Sequence, residues 1–230
     1  MKKILFFIVC LVVTTSLFAL DVTMGGAIGI NYGWNSGDDW DNMLDGRKQS
    51  LLMTSPTATV TDSAEIGVEV GAFWDIAVNN FFSIQPELNL VLLFVGVKDE
   101  YEIYTPTYSF ISRNLTFKAT FFEIPILAKF NFGTGKVKFS VFAGPSLIIM
   151  LGDLNSDADN YDFYDENDYD KKIDYYLLLG CAVGAGCSIP AGSGKFILDL
   201  RYRRTLMNYR DAFDARANTV GLRIGYGIDL

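Results

Sequence analysis

Charged side chains recur at alternate positions along this sequence, among glycines and other small residues. Two carboxylate pairs have the chemistry of a general acid and base; they are Glu65 with Glu69, and Glu87 with Glu123. The chain has no histidine, so the commonest general base and the commonest metal ligand are missing. Because arginines share the same spacing, salt bridges explain these carboxylates better than catalysis does, and we expect neither an enzyme nor a cofactor.

We assign these charged residues to one interior charge network, since unpaired charges inside a narrow, low-dielectric lumen would be very costly. Its members are Glu65, Glu69, Glu87, Glu123, Lys129, Asp199, Arg201, Arg203 and Arg223. Asp75 and Lys138 have the same parity and are expected to point the same way. The mixture of signs predicts a salt-bridged plug and not a wide pore.

A second candidate for chemistry is an acidic stretch that starts like a calcium-binding loop. Its oxygen-bearing residues at alternate positions are Asp153, Asn155, Asp157 and Asp159. The full loop motif fails, because Ala158 stands where a glycine is needed and Tyr164 where a bidentate glutamate belongs. A loose Ca²⁺ or Mg²⁺ site is one interpretation, and a solvated acidic loop is the better one.

Overall charge and cysteine usage narrow the functional classes further. The chain has 230 residues, with 27 acidic and 19 basic side chains, for a net charge of −8. This excess of acid argues against nucleic acid as a partner, which would require a basic patch. Cys181 and Cys187 lie six residues apart on one face of a predicted strand, roughly 20 Å apart at ~3.3 Å per residue, which excludes a disulfide.

The N-terminus has the pattern of a signal peptide. Lys2 and Lys3 precede an apolar run from Ile4 to Val13, and a plausible cleavage site follows Ala19 or Leu20. We expect residues 1–20 to be the signal peptide and residues 21–230 to form one domain. Beyond residue 20, no apolar run approaches the ~18–20 residues of a membrane-spanning helix.

Most of the remaining chain alternates between apolar residues and small or charged ones. Between Thr219 and Leu230, for example, the even positions are all apolar and the odd positions are mostly Gly, Arg and Asp. Side chains alternate faces along a strand, so each such segment has one apolar face and one compact polar face. The predicted strands are Asp21–Trp34, Ser63–Ile76, Phe82–Val97, Arg113–Phe132, Val137–Leu151, Ile173–Ile189, Lys195–Met207 and Thr219–Leu230.

The connections between these strands alternate in length. The second, fourth and sixth are short, and the others are longer; we read the first, Asn35 to Asp62, as irregular, and Lys98 to Ser112 as a loop or a strand extension. An even strand number with this rhythm is typical of an outer-membrane barrel, with short periplasmic turns and longer outward loops. The rival is a lipocalin-like barrel with its apolar face inward. The polar face has too many glycines for a solvated surface and suits the narrow interior of eight strands, so we expect an all-β, eight-stranded antiparallel up-and-down transmembrane β-barrel.

Two segments resemble a known family. They are FFEIPILAKFNFGTGKVKFSVFAGPSLIIML, Phe121 to Leu151, and LDLRYRRTLMN, Leu198 to Asn208. Both are similar to strands of the small bacterial outer membrane protein β-barrel domain family, the OmpA/OmpX-like, porin-type eight-stranded barrels. The resemblance implies an outer-membrane location in a Gram-negative-type envelope and no settled biochemical activity.

These patterns together predict a non-enzymatic, integral outer-membrane protein with a structural or surface-exposed role and long acidic extracellular loops. Two alternatives stay open: passage of small, possibly hydrophobic, solutes through the barrel, and an adhesin or host-interaction role. The expected partners are outer-membrane lipid and the outer-membrane assembly machinery, with an extracellular ligand that the sequence does not identify.

Overall fold

The computed structural model describes residues 21–105, 107–133, 135–151, 155–157, 176–208 and 215–230. Its strands are β1 (Val22–Ser36), β2 (Thr59–Ala77), β3 (Phe82–Thr105), β4 (Thr107–Phe132), β5 (Lys138–Met150), β6 (Asn155–Asp157), β7 (Leu177–Ala191), β8 (Gly194–Thr205) and β9 (Arg216–Asp229). One helix, α1 (Asp38–Leu52), lies between β1 and β2. The predicted signal peptide, residues 1–20, lies outside the described residues.

The long strands close into a ring of antiparallel neighbours, in the order β1-β2-β3-β4-β5-β7-β8-β9. The ring closes where β9 pairs with β1, from Thr23 opposite Asp229 to Ser36 opposite Arg216. The short strand β6 lies outside the ring, and among the described strands it pairs with β4 alone. The prediction of a closed eight-stranded antiparallel barrel is therefore confirmed.

The alternating pattern of the sequence sets the two faces of the wall. Apolar side chains such as Ile28, Ile66 and Ile224 are exposed on the outside, at 66%, 68% and 56% of their full accessible surface. Residues of the opposite parity point inward, where Asn31, Glu69 and Arg223 are buried. An outer surface this apolar requires an apolar surrounding medium, and the inner face is the polar one. No helix among the described residues is long and apolar enough to cross a membrane.

The first long connection is more ordered than the sequence analysis predicted. We read residues 35–62 as irregular, but α1 occupies residues 38–52 and β2 begins at Thr59. Three acidic residues in the first turn, Asp38, Asp39 and Asp41, suit the positive end of the helix dipole. The isolated Gly46 and the shortness of the apolar face formed by Trp40, Met43 and Leu44 hide this helix in the sequence.

The second long connection is a strand extension. β3 and β4 stay paired from Val97 opposite Leu115 up to Thr105 opposite Thr107, well beyond the apolar outer belt. Of the two possibilities for Lys98 to Ser112, the strand extension is the one that forms. Cys181 and Cys187 are both free, as expected from their separation.

An arginine on the outer face near mid-wall should be far more costly than one outside the barrel. We predict that Ile224→Arg lowers the free energy of unfolding by about 2–4 kcal/mol in lipid vesicles, because a charge at the bilayer midplane loses its hydration. Met53→Arg, at a residue 90% exposed after α1, should change it by less than about 0.5 kcal/mol. Urea unfolding in vesicles measures both, and equal effects would contradict the orientation of the wall.

Candidate functional site: a charge layer across the barrel

The barrel interior contains a compact group of buried charges at mid-height. This central charge layer consists of Glu69, Glu87, Glu123, Asp199, Arg201, Arg203 and Arg223, each no more than 6% exposed. They come from five strands, because β2, β3, β4, β8 and β9 each place charged residues on their inward parity.

Glu87 and Arg201 form an ion pair between opposite walls of the barrel. Arg201 donates from Nη1 to Glu87 Oε2 at 2.9 Å and from Nη2 to Oε1 at 3.2 Å. Their strands, β3 and β8, stand four places apart in a ring of eight, on opposite walls. A bidentate ion pair between opposite walls crosses the full diameter of the barrel.

Arg223 and two amides complete the shell around Glu87. Arg223 donates from Nη1 to Glu87 Oε2 at 2.6 Å. Gln85 donates from Nε2 to Oε1 at 2.6 Å, and Asn89 donates from Nδ2 to Oε2 at 2.9 Å. Glu87 therefore accepts from two arginines and two amides, which offsets the cost of burying its charge.

On the outward side of the central charge layer, Arg203 contacts residues of three other strands. Its Nη2 is ion-paired with Glu69 Oε2, and its Nη1 donates to Asn31 Oδ1 at 3.2 Å. Its Nε lies 3.2 Å from Glu123 Oε2, within ion-pair distance, but the N–H is not aimed at the oxygen, so neither carboxylate oxygen of Glu123 accepts a hydrogen bond. Glu123 is thus the least satisfied member of the layer.

Small residues make room for these long side chains. A Cβ at Gly29 would lie 2.7 Å from Arg223 Cγ and 2.9 Å from Glu69 Oε1. A Cβ at Gly184 would lie 2.5 Å from the Phe142 ring, and that ring supports the Arg201 guanidinium at 5.1 Å from its centroid. The glycine-rich inward face is therefore the space that the arginines and Phe142 fill.

A second group of charges lies nearer the short turns. This lower triad consists of Lys129, Asp75 and Lys195: Lys129 Nζ lies 3.2 Å and Lys195 Nζ 3.5 Å from Asp75 Oδ2. Lys129 also donates to Gln85 Oε1 at 2.8 Å, which links the triad to the central charge layer through Gln85. Together the two groups contain five carboxylates and five basic side chains.

Two residues of the predicted network lie apart from it. Glu65 is half-buried and accepts a hydrogen bond from Ser63 Oγ at 3.3 Å, and none of the described ion pairs involves it. A register shift between Ala64 and Val68 separates Glu65 from the regular inward row. Lys138 is exposed at the open end of the barrel beside the short turns. Sequence parity placed both residues inward but did not predict how far along the barrel they would lie.

Of the candidate metal loop, only part can be placed. Asn155 and Asp157 bound β6, whose backbone pairs with β4, while Asp153 and Asp159 lie outside the described residues. Among the described residues, no group of three or more Cys, Asp or Glu could hold a metal ion.

An apolar layer covers the outward side of the charge layer, and sequence reasoning did not foresee it. Trp40, the one buried residue of α1, packs with Val91, Leu93 and Val97 of β3. Arg47 of α1 fastens the helix to β3 by donating from Nε to both Asp99 oxygens at 2.9 Å. The helix therefore lies at the outward end of the barrel, where its indole ring packs among inward-facing side chains of β3 and β9.

Asp62 gives this helix a titratable neighbour outside the apolar belt. Burial raises the pKa of Asp62 to about 6, and the nearby Asp41 carboxylate of α1 adds to the rise. The Trp40 N–H favours the ionised form and opposes the rise, although it is not placed well enough to form a hydrogen bond.

This geometry defines an integral β-barrel of the outer membrane, closed inside by ion pairs. The chain belongs to the outer membrane protein beta-barrel domain family, whose model matches residues 18–210. Its location is accordingly the outer membrane. No curated protein is a significant match to the chain.

Several solved structures resemble this chain in fold. The outer membrane protein OprG from Pseudomonas aeruginosa is 10% identical with a TM-score of 0.47, over 92% of this chain and 96% of that one. Neisserial surface protein A is 14% identical with a TM-score of 0.44, over 90% and 97%. Ail of Yersinia pestis, the attachment invasion locus protein, is 11% identical with a TM-score of 0.34, over 90% and 99%.

Removing one partner of the Glu87–Arg201 ion pair should lower the stability of the barrel, because the remaining partner is left as an unpaired buried charge. We predict that Arg201→Ala lowers the free energy of unfolding by about 3–5 kcal/mol, and that Arg201→Met combined with Glu87→Leu recovers much of that loss. The control is Lys98→Ala at the exposed Lys98–Glu100 pair, 2.5 Å apart, where the loss should stay below about 1 kcal/mol. Urea unfolding of all variants measures this, and a small loss for Arg201→Ala would refute the buried pairing.

Acid should tighten the docking of α1. The pKa of Asp62 is higher in the docked state than its ordinary value of 3.8, so the docked state binds the proton more strongly. Docking is therefore favoured as pH falls from about 6 to about 4, and that gain is lost as pH rises through 6. Hydrogen exchange of the α1 amides at pH 5 and pH 7 measures it. Asp62→Asn should remove most of the difference, whereas Asp45→Asn, exposed on the helix, should keep it.

Proposed function

We propose that this protein is a non-enzymatic, closed outer-membrane anchor whose extracellular elements are its working part. The observation that carries this proposal is the Glu87–Arg201 pair between opposite walls, backed by the apolar layer under Trp40. A lumen crossed by buried ion pairs, with an indole packed on their outward side, is suited to holding a rigid barrel, not to passing solutes.

The absence of enzymatic activity is part of the proposal. The chain has no histidine, and each carboxylate of the central charge layer and the lower triad lies within 4 Å of a basic side chain. A general base needs a free lone pair beside its substrate, and carboxylates held by arginine and lysine are poor bases. Ion pairing supports a structural role for these residues.

The extracellular cap is the part that we assign to recognition. It consists of residues 38–57, which contain α1, and the strand extension, residues 97–105 and 107–115. Ser55 Oγ accepts from the Glu102 backbone N–H at 3.1 Å, and Arg47 pairs with Asp99, so the two parts are fastened together. A fastened surface loses little entropy when it binds a partner, which favours recognition by a preformed surface.

The outward face of the cap is acidic with isolated apolar residues. Asp38, Asp41 and Asp45 of α1 are exposed, and Met53 and Phe110 are exposed at 90% and 58%. Such a surface suits a partner with basic and apolar groups, as an adhesin or host-interaction protein would use. Passage of small solutes through the barrel remains the alternative that the experiment must separate.

The test replaces residues 38–57 by a short Gly-Ser linker and displays both proteins on a non-adherent Gram-negative strain. We expect the deletion variant to keep the heat-dependent gel shift of a folded barrel and to lose adhesion to epithelial monolayers. For the intact protein, liposome swelling in small sugars and amino acids should stay at the level of empty liposomes.

Two results would contradict the proposal. One is rapid liposome swelling with the intact protein, which would assign solute passage. The other is adhesion at the vector level for the intact protein. The matched control is Gln49→Ala, at an exposed and uncharged position of α1, which should keep both the adhesion and the gel shift of the intact protein.

A further inference from the structure

One arginine stands on the lipid-facing side of the barrel wall. Along β8 the side chains of Arg201 and Arg203 are buried in the lumen, so Arg204 has the opposite, outward parity. It is half-buried, and on the outer face it lies between Tyr202 and the exposed Leu206. Charged side chains that face lipid are rare, and they are functional-site candidates for that reason.

The described part of the chain supplies no partner for this charge. No ion pair or side-chain hydrogen bond among the described residues includes Arg204. The four neighbouring strands β1, β7, β8 and β9 contain two carboxylates, Asp199 and Asp229. Asp199 is ion-paired with Arg201 inside the barrel, and Asp229 lines the cavity at the short-turn end. The outer face of these strands therefore offers Arg204 no counter-charge.

Arg204 lies near the outward edge of the apolar belt. It stands close to the C-terminal end of β8, far from the short turn that precedes this strand. On β9 it is opposite Asn218, the next outward position beyond the exposed Val220. Because a long arginine stem can lie along apolar surface while the guanidinium reaches the polar interface, the charge can extend to the level of the lipid headgroups.

The neighbours of Arg204 are those expected at a membrane interface. Tyr202 donates from Oη to Asn218 Oδ1 at 2.7 Å, and its ring centroid lies 6.3 Å from that of Trp34. Asn218 Nδ2 donates to Ser36 Oγ at 2.9 Å. Tyrosine and tryptophan rings with polar tips favour the headgroup level of a bilayer. Since this end of the barrel is opposite the short turns, the interface is that of the outer leaflet.

A second arginine lies diagonally across from Arg204 on the same outer face. Arg216 precedes Asn218 by two residues on β9, and the residues on either side of Arg216 pack inside the barrel. Arg216 therefore has the outward parity. Diagonal neighbours on adjacent strands lie roughly 7–8 Å apart, a distance that two arginine side chains can span around one phosphate. The facing residue on β7 is the small Cys181, which leaves the other side of Arg204 open.

We propose that Arg204 and Arg216 bind the phosphate of an anionic lipid in the outer leaflet. A guanidinium holds a phosphate through two parallel hydrogen bonds, and an outer face with arginines and no carboxylate complements a negative headgroup. The occupant is a lipid and not a soluble anion, because the exposed Val220 and Leu206 on the same strands belong to the surface that acyl chains cover.

The experiment titrates the full chain in a non-ionic detergent with dioleoyl phosphatidylglycerol or dioleoyl phosphatidylcholine, and native mass spectrometry counts the bound lipids. We expect the first phosphatidylglycerol to bind at least ten-fold more tightly than the first phosphatidylcholine. Arg204→Gln should reduce this preference at least five-fold. Arg204→Lys should keep part of it, because lysine retains the charge but lacks the planar fork.

The matched control is Lys118→Gln. Lys118 is exposed on β4, three places from β8 in the ring, so its replacement should leave the preference within two-fold of the intact protein. All variants should keep the heat-dependent gel shift, which excludes misfolding as the cause of a loss. A competition arm adds glycerol 3-phosphate, which carries a phosphate but no acyl chains, and it should displace little of the bound phosphatidylglycerol.

Three results would overturn the proposal. The first is equal binding of the two lipids by the intact protein, or an unchanged preference in Arg204→Gln. The second is an equal loss in Lys118→Gln and Arg204→Gln, which would indicate a general attraction between basic side chains and anionic lipid. The third is full displacement by glycerol 3-phosphate, which would assign the site to a soluble phosphate.

Discussion

The ion pair between Glu87 and Arg201 is the contact on which the rest of the interior depends. It joins opposite walls and, together with the other buried charges of the central charge layer, occupies the lumen at that height. Two buried charges are tolerable there only because Arg223, Gln85 and Asn89 surround Glu87 with donors. Removing either Glu87 or Arg201 would leave the other as an unpaired charge that water does not reach.

Space inside the barrel is the second constraint. Eight strands enclose an interior that side chains just fill, so a guanidinium on one wall needs a glycine near it. Gly29 beside Arg223 and Gly184 beside Phe142 are examples. This explains why the inward face reads as glycines interrupted by long charged residues. The contents of the lumen are layered along the barrel, with ions at mid-height, an apolar layer around Trp40 on the outward side, and a cavity at the end with the short turns.

Much of the fold follows from the sequence because period-two alternation states which face is apolar at nearly every strand position. Ile224, for example, is exposed on the outer face, and its neighbour Arg223 is buried on the inner face. The sequence does not predict which charges pair. Glu87 and Arg201 are far apart along the chain, and they meet because the strand order places β3 and β8 on opposite walls. Helix α1 was missed although Trp40, Met43 and Leu44 have the i, i+3, i+4 spacing of a helix face and pack together at the barrel. Polar residues outnumber this short apolar face, so the whole segment looks like a loop. Glu65 was misplaced because a register shift beside it interrupts the simple parity.

The central claim is that ion pairs close the lumen, and single-channel recording in planar bilayers tests it most directly. The intact protein should give no stable conductance steps of porin size, whereas Glu87→Ala combined with Arg201→Ala and removal of α1 should give measurable ones. Large, stable steps from the intact protein would contradict the account.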